Sequence, residues 1–363
     1  MTNKINAGFI GVGAFTDRMH LPHTLANPKY RIHTLCDLNK DLLKEREKQY
    51  KPIKTTTDYH DILKDPEIDM VFIGSRHDKH AFFIEECAKV GKNVMVEKPM
   101  ATTNEESRKI IDCVDKSNIR LMVGYNRRFS QAMIDAKKIF QENKSTATNV
   151  YYRMADENKD MDYYGFDVDK FGGHLVTEVC HIFDLLSWFL EEEPREIYAA
   201  GDLKSNQNVT ITFIKGSVAT IINSTRGTLN YPKEYMEVFS GYTTLAIDWF
   251  SEIRFSKDGE YRRINYPMKR DEIPEIVCES PNMTSEDIYR KYEFIAKNNL
   301  YWKRKFQPDK GHYAELDVYA DALLNDKPSP VDERDGARAT AMAQAANESI
   351  KKKAVQSIET FWI

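Results

Sequence analysis

Three short stretches hold residue types that could do chemistry together. The first is Glu97-Lys98-Pro99, at the end of the apolar run Asn93–Val96. A lysine there could hydrogen-bond a substrate hydroxyl and help move its proton, and partial desolvation would lower its pKa. Pro99 fixes the backbone behind it. The second is His181, in an apolar helical stretch with Glu178 three residues earlier and Thr177 four earlier. Both spacings bring side chains onto one helical face. An imidazole titrating near neutrality suits a general base, and Glu178 is the candidate to orient it. The third is Gly11-Val12-Gly13-Ala14-Phe15-Thr16, directly after an apolar strand. Such a turn lets a pyrophosphate approach the backbone and meet a helix N-terminus. Thr16 stands where a third small residue is usual. Asp37 lies 24 residues after Gly13 at the end of the next apolar run. Its carboxylate could accept both ribose hydroxyls and would repel a 2′-phosphate, which favours NAD over NADP. The alternative is that Asp37 caps the helix that follows it.

These residues need a scaffold, and the first ~125 residues supply one by alternating short apolar runs with amphipathic stretches. Ile5–Ile10, Arg31–Cys36, Met70–Ile73, Asn93–Val96 and Leu121–Val123 read as parallel strands covered on both faces. Helical patterns lie near 14–26, 39–50, 78–90 and 104–117, the last opened by Thr103-Asn104-Glu105-Glu106. This predicts a doubly wound α/β domain over 1–126 and a second domain over 127–363. In the second, a linker helix (Phe129–Glu142), a strand (Thr148–Met154), a polar aromatic loop (155–171) and an apolar helix (His174–Leu190) precede short alternating segments. Turn signals at Lys215-Gly216, Ser240-Gly241 and Asp258-Gly259 predict an antiparallel meander. Helices near 312–324 and 333–352 follow. The stretch 270–308 reads as an exposed insertion or lid.

The composition narrows the function. With 52 Lys+Arg against 56 Asp+Glu the net charge is −4, which argues against a nucleic-acid binder. On that balance Tyr289-Arg290-Lys291-Tyr292 and Trp302-Lys303-Arg304-Lys305 read as solvated faces. No apolar run is long enough to span a membrane. The N-terminal residues carry no signal-peptide pattern, and the five cysteines are odd in number and scattered, as in a reduced cytoplasmic protein. Cys180-His181 alone is too little for a zinc site, so no metal is expected.

In this order, the glycine turn, Glu97-Lys98-Pro99, Gly124-Tyr125-Asn126-Arg127-Arg128-Phe129, Gly172-Gly173 with Glu178 to Asp184, Tyr231-Pro232-Lys233-Glu234 and Asp309-Lys310-Gly311-His312 resemble the Gfo/Idh/MocA oxidoreductases. These are the relatives of glucose–fructose oxidoreductase and inositol dehydrogenase. The resemblance implies an N-terminal Rossmann domain and a C-terminal α/β domain with a large, mostly antiparallel open sheet. It implies NAD(P)-dependent hydride transfer at a hydroxyl or ketone carbon of a sugar, polyol or sugar-nucleotide. Alternatives are transient oxidation by tightly held NAD, as in glycoside cleavage or epimerisation, and a non-catalytic NAD-binding regulator. By the same resemblance Lys98 matches the catalytic lysine. Ser75, Arg76, His77 and His80 border the cofactor, and Glu97 and Asn126 line the nicotinamide side. Many members carry Asp-x-x-x-His where this chain has Thr177 and His181, so it is similar to a subgroup with Glu-x-x-His. The open sheet implies a homo-oligomer, dimer or tetramer. Substrate contacts are expected from Lys98, Glu178, His181, Arg153 and Tyr164, with Tyr163, Tyr164 and Phe166 as a sugar platform beside which Asp167 could hold hydroxyls, and Arg226, Lys233 and His312 as further candidates.

Overall fold

The computed structural model describes residues 4–144, 147–157, 164–228, 231–266, 268–270, 273–277 and 307–363. Six parallel strands form the first sheet: β1 (Ile5–Ile10), β2 (Tyr30–Cys36), β3 (Lys54–Thr56), β4 (Met70–Ile73), β5 (Asn93–Val96) and β6 (Leu121–Val123). Their order is β3-β2-β1-β4-β5-β6, the doubly wound arrangement. Its chain reversal falls between β1 and β4, where ligands sit outside the carboxyl ends of the strands. The helices between them are α1 (Leu21–Ala26), α2 (Lys40–Tyr50), α3 (His60–Lys64), α4 (His80–Lys89) and α5 (Asn104–Ser117). Asn39 caps α2 by accepting from the N–H groups of Asp41 and Leu42, so the cap is not Asp37. Thr103 and Glu106 close a reciprocal capping box on α5. β3 and α3 are the two elements of this domain that periodicity misses.

After α6 (Gln131–Asn143) the chain enters β7 (Asn149–Ala155), then α7 (Val168–Phe171), a π-helical turn (Leu175–Val179) and α8 (Cys180–Leu190). Nearly every side chain of α8 is buried, as expected for a helix apolar on all sides. Seven strands follow: β8 (Pro194–Gly201), β9 (Asn206–Phe213), β10 (Val218–Ser224), β11 (Glu234–Ser240), β12 (Thr243–Asp248), β13 (Glu252–Lys257) and β14 (Glu260–Asn265). Short strands β15 (Met268–Arg270), β16 (Ile273–Val277) and β17 (Gln307–Pro308) form a separate small sheet. Then come α9 (His312–Leu324), α10 (Glu333–Lys352) and β18 (Gln356–Ser357).

The second sheet runs β14-β13-β12-β11-β7-β10-β9-β8-β18. It is not the simple meander that the turn signals predict. β7 inserts between two meanders, antiparallel to β11 and parallel to β10. Val150, Tyr152 and Met154 of β7 point into the core, and the intervening residues point to the open face.

The two sheets share one core that runs through α8, α9 and α10. The Tyr319 hydroxyl of α9 donates toward the carbonyls of Val94 and Arg120, beside β5 and β6. Gly336 of α10 sits so close to Met100 that a Cβ would lie 2.7 Å from its sulfur. The C-terminal helices therefore fix the second sheet against the turn that carries Lys98. Among the described residues no helix is long and apolar enough to cross a membrane. Of the expected insertion, residues 278–306, with both basic aromatic clusters, lie outside the described residues.

Candidate active site

The glycine turn is built as its residue types require. Gly11 adopts φ +89°, and a Cβ there would lie 2.7 Å from the Gly74 carbonyl oxygen. A Cβ on Gly13 would meet nothing within 4 Å, so the backbone there is open to an approaching phosphate. Ala14 and Phe15 are exposed beside it. Thr16 is buried, and its Oγ1 occupies the space a Cβ on Gly74 would need. The close approach that a third glycine normally allows is thus supplied by the opposing loop. Asp37 braces the turn: one carboxylate oxygen accepts from Val12 N at 3.0 Å and the other from Asn39 N at 3.0 Å. These features fit a dinucleotide whose diphosphate lies on the turn and whose ribose meets Asp37.

The loops after β4 and β5 are tied together beside it. His80, fully buried, has Nδ1 2.8 Å from the Pro99 carbonyl and Nε2 3.1 Å from the Ser75 carbonyl. Ser75 and exposed Arg76 begin this loop, and Arg76 covers the Phe171 ring. Burial, with the neighbouring His80 and Lys98, pushes His77 down to about 2, so it is neutral. Glu97 Oε1 lies 2.5 Å from Nε2 of buried His20. Burial pushes the Glu97 carboxyl up, but His20 and Lys98 overcome this and hold it below the ordinary range. The Lys98-Pro99 bond is cis.

Lys98 reaches across to the second domain. Its Nζ donates to the Thr177 carbonyl at 2.9 Å and to Glu178 Oε2 at 2.9 Å. The other oxygen of Glu178 accepts from Lys233 Nζ at 3.0 Å, and Lys233 also pairs with Asp156 at 2.7 Å. Arg127 lies 3.8 Å from Glu178 and holds Glu234 with two parallel bonds of 2.7 and 3.0 Å. Glu234 further accepts from the Tyr152 hydroxyl and Lys310 Nζ. Asn126 donates to the Lys310 carbonyl at 2.7 Å and so fixes the stretch before α9. Gly311 is required there, because a Cβ would lie 2.3 Å from the Asn126 carbonyl oxygen.

The electrostatics correct two expectations. Burial alone would lower the Lys98 pKa, but Glu178 and Glu97 raise it above the ordinary lysine value. Lys98 is therefore a fixed ammonium rather than a base. Glu178 does not bond His181; both its oxygens are taken by amines, and Lys233 and Lys98 hold it ionised against burial. His181 is 5% exposed, Nδ1 is buried without a partner, and its ring meets Tyr125 edge-on. Burial and the charges of Arg127 and Lys98 push its pKa well below the usual value, so the imidazole is neutral. Thr177 points its hydroxyl at the carbonyls of Gly165 and Gly173, away from Lys98.

Other candidates fall elsewhere. Arg153 lies on the open face of β7, donates to the Pro232 carbonyl and covers Tyr231. Arg226 is exposed and pairs in a bridge with Glu157. Phe166 is buried and packs on His174, so it offers no face as a platform, and Asp167 caps α7 by accepting from Lys170 N. Tyr163 lies outside the described residues, and Tyr164 stands in a short 3-10 turn. His312 packs near Phe15, His20 and His23. Arg127, Glu234 and Lys310 receive no role from sequence alone, although each lies in a motif that the sequence singles out. Burial of the Cys180 thiol pushes it up to about 12, which disfavours metal binding. Among the described residues one group has metal-compatible spacing, His33, Asp65 and Glu67, and it shares no residue with these motifs. There Lys54 already pairs with Asp65 at 2.7 Å.

Fold and cluster together define an oxidoreductase with a dinucleotide-binding Rossmann domain. Residues 5–125 match the sequence model of the Gfo/Idh/MocA oxidoreductase family, NAD-binding Rossmann fold, and this domain belongs to that family. It is similar to the uncharacterized oxidoreductase YrbE of Bacillus subtilis, 29% identical over 68% of this chain and 75% of that protein. It is also similar to myo-inositol 2-dehydrogenase of Thermotoga maritima, 24% identical over 66% and 74% of the two chains. The fold matches the oxidoreductase domain protein of Kribbella flavida, with TM-score 0.82 at 18% identity over 98% and 100%. It likewise matches levoglucosan dehydrogenase in complex with NADH and L-sorbose, with TM-score 0.81 at 18% identity over 99% and 100%.

Proposed function

We propose that the protein is an NAD-dependent dehydrogenase that acts on a hydroxyl or ketone carbon of a sugar or polyol. One observation carries the reading. The Lys98 ammonium, from the end of β5, meets Glu178, one helical turn before His181, at the carboxyl edge of the parallel sheet and beside the glycine turn. Bound nicotinamide supplies the hydride acceptor or donor. Two of the three Lys98 N–H groups are engaged, which leaves the third to hold and polarise the substrate oxygen. His181 is a neutral imidazole without a protein partner. In oxidation its ring takes the hydroxyl proton, and in reduction the protonated ring returns it. Glu178 holds Lys98 rather than orienting His181. A binding protein needs neither the aimed ammonium nor the unpaired imidazole, so the catalytic reading is preferred. The two similar dehydrogenases, one of myo-inositol and one of levoglucosan by name, support a ring polyol or anhydrosugar as substrate.

The same reading takes Gly11, Gly13, Ala14, Phe15, Thr16, Asp37, Ser75, Arg76, His77, His80, Glu97 and Asn126 as the NAD-binding set. Residues 1–126 form the cofactor unit and 127–363 the substrate unit. The carboxylate of Asp37 supports NAD over NADP. Tyr198, Ile222 and Phe239 are exposed on the second sheet and support a homo-oligomer formed through that face; light scattering reads its size. The function is tested by NAD reduction at 340 nm with inositols, aldoses and anhydrosugars. Turnover that disappears in Lys98→Ala supports the reading, and turnover indifferent to that change refutes it.

A further inference from the structure

We infer that Lys233 is a positioning residue for the proposed hydride transfer: it anchors one oxygen of Glu178 so that the other stays on the Lys98 amine. The inference rests on the functional reading above.

Four ionised side chains form a line from one domain to the other. Asp156, at the end of β7, holds Lys233 at 2.7 Å; Lys233 holds Glu178 Oε1 at 3.0 Å; Glu178 Oε2 holds Lys98 at 2.9 Å. Each link is an ammonium facing a carboxylate, the stronger class of hydrogen bond. Lys233 itself is fixed by its neighbour in sequence. Glu234 carries the paired bonds to Arg127, and Pro232 precedes Lys233, so its backbone has little freedom.

Glu178 needs this anchor. It stands one helical turn before His181, whose buried Nδ1 lacks a partner. Without Lys233, Oε1 keeps only Arg127 at 3.8 Å, beyond hydrogen-bond reach, and the carboxylate could turn along the helix face toward that imidazole. Lys98 would then lose its charged partner and its aim. The second bond, to Lys233, removes that freedom. Lys233 need not touch substrate to matter, because a misplacement of about 1 Å at a reacting group costs roughly 10²-fold in rate.

The test uses whichever polyol or sugar the wild type oxidises and compares kcat and KM for wild type, Lys98→Ala, Lys233→Met, Lys233→Arg and Asp156→Asn. NADH fluorescence checks that each variant retains the folded cofactor domain. Lys233→Met is expected to lower kcat by roughly 10²-fold with KM little changed. Lys233→Arg restores most of the loss, since it keeps an ion pair with Glu178. Asp156→Asn, at a partly exposed side chain that tolerates change, lowers kcat in the same sense but less. Adding it to Lys233→Met costs nothing more, because Asp156 acts through Lys233. A raised KM with kcat intact would make Lys233 a substrate contact and overturn the inference. Equal losses of kcat and NADH binding would make it merely structural and overturn the inference as well. Turnover that needs Lys98 but ignores both Lys233 and Asp156 overturns the inference alone. No turnover in the wild type, or turnover unchanged in Lys98→Ala, overturns the functional reading and the inference with it.

Discussion

Replacing Asp37 by serine separates a cofactor-selecting carboxylate from one that only braces a turn. Its two oxygens each accept a backbone N–H at 3.0 Å, from Val12 in the glycine turn and from Asn39 at the start of α2. Serine retains one short acceptor and loses the charge. A hydrogen bond to a charged group contributes about 1.5–3 kcal/mol, so losing one net bond to the adenosine ribose weakens NADH binding about 10- to 100-fold. For NADPH the sign reverses. A carboxylate about 4 Å from a phosphate costs roughly 4 kcal/mol per unit charge at an effective dielectric constant near 20, and serine removes that repulsion. The ratio of the two dissociation constants should therefore move toward NADPH by about 10³-fold or more. Fluorescence titration of the variant with NADH and NADPH, at fixed ionic strength, measures both. If the two affinities fall together and their ratio stays put, Asp37 serves the turn and does not choose the cofactor.

Lys98→Ala and His181→Ala should each lower turnover by about 10²–10⁴-fold while NADH binding stays within about tenfold; full activity in either variant removes that residue from the mechanism. Acid should destabilise the fold early. His77, His80, His174, His181 and His312 are all held neutral by burial, so the unfolded chain takes up their protons first as pH falls through about 6.5. Asp184, Glu315 and Glu333, pushed up by burial, act in the opposite sense but are fewer. Stability should fall by up to about 3 kcal/mol per pH unit below 6.5, and a melting temperature that is level from pH 7 to 5 would contradict this. Glu315 is fully buried with neither carboxylate oxygen bonded, and burial and the charge of Glu97 push its pKa well up. It is neutral when folded and ionised when unfolded. Glu315→Gln should therefore gain on the wild type by about 1.4 kcal/mol for each pH unit above 4.5, until the folded carboxyl itself ionises. Melting curves at pH 5 and 8 that differ equally for both proteins would show that the carboxyl is solvated.

The bounds of β1, β4, β5 and β6 match their apolar runs because a strand buried on both faces is a run and nothing else. β3 is three residues long and polar, and β13 carries Glu252, Arg254 and Lys257 over both faces of a six-residue strand, so neither shows a run or a clean alternation. The parallel pairing of β7 with β10 is invisible for a different reason. Turn residues mark neighbours in the chain, whereas β7 joins strands about seventy residues away. Thr16 teaches the same point at the glycine turn. Its size looks wrong until Gly74, from another loop, gives up the space.

The site repeats the lesson in charge rather than shape. Chain spacing pairs Glu178 with His181, and on an isolated helix that pairing is reasonable. In the folded protein two ammonium groups, from β5 and from the start of β11, reach the carboxylate first. Both partners of those bonds are ionised, whereas the imidazole offers only a neutral donor, so the imidazole loses the competition for the two oxygens. Losing it keeps His181 neutral and unpaired, and that is the state a proton acceptor needs. The residues that decide this, Lys98, Lys233, Arg127 and Asp156, come from four separate segments, and Lys98 and Arg127 lie within the first 127 residues. The chemistry at His181 is thus set by how the two sheets are held together, through α9 and α10, as much as by the helix that carries it.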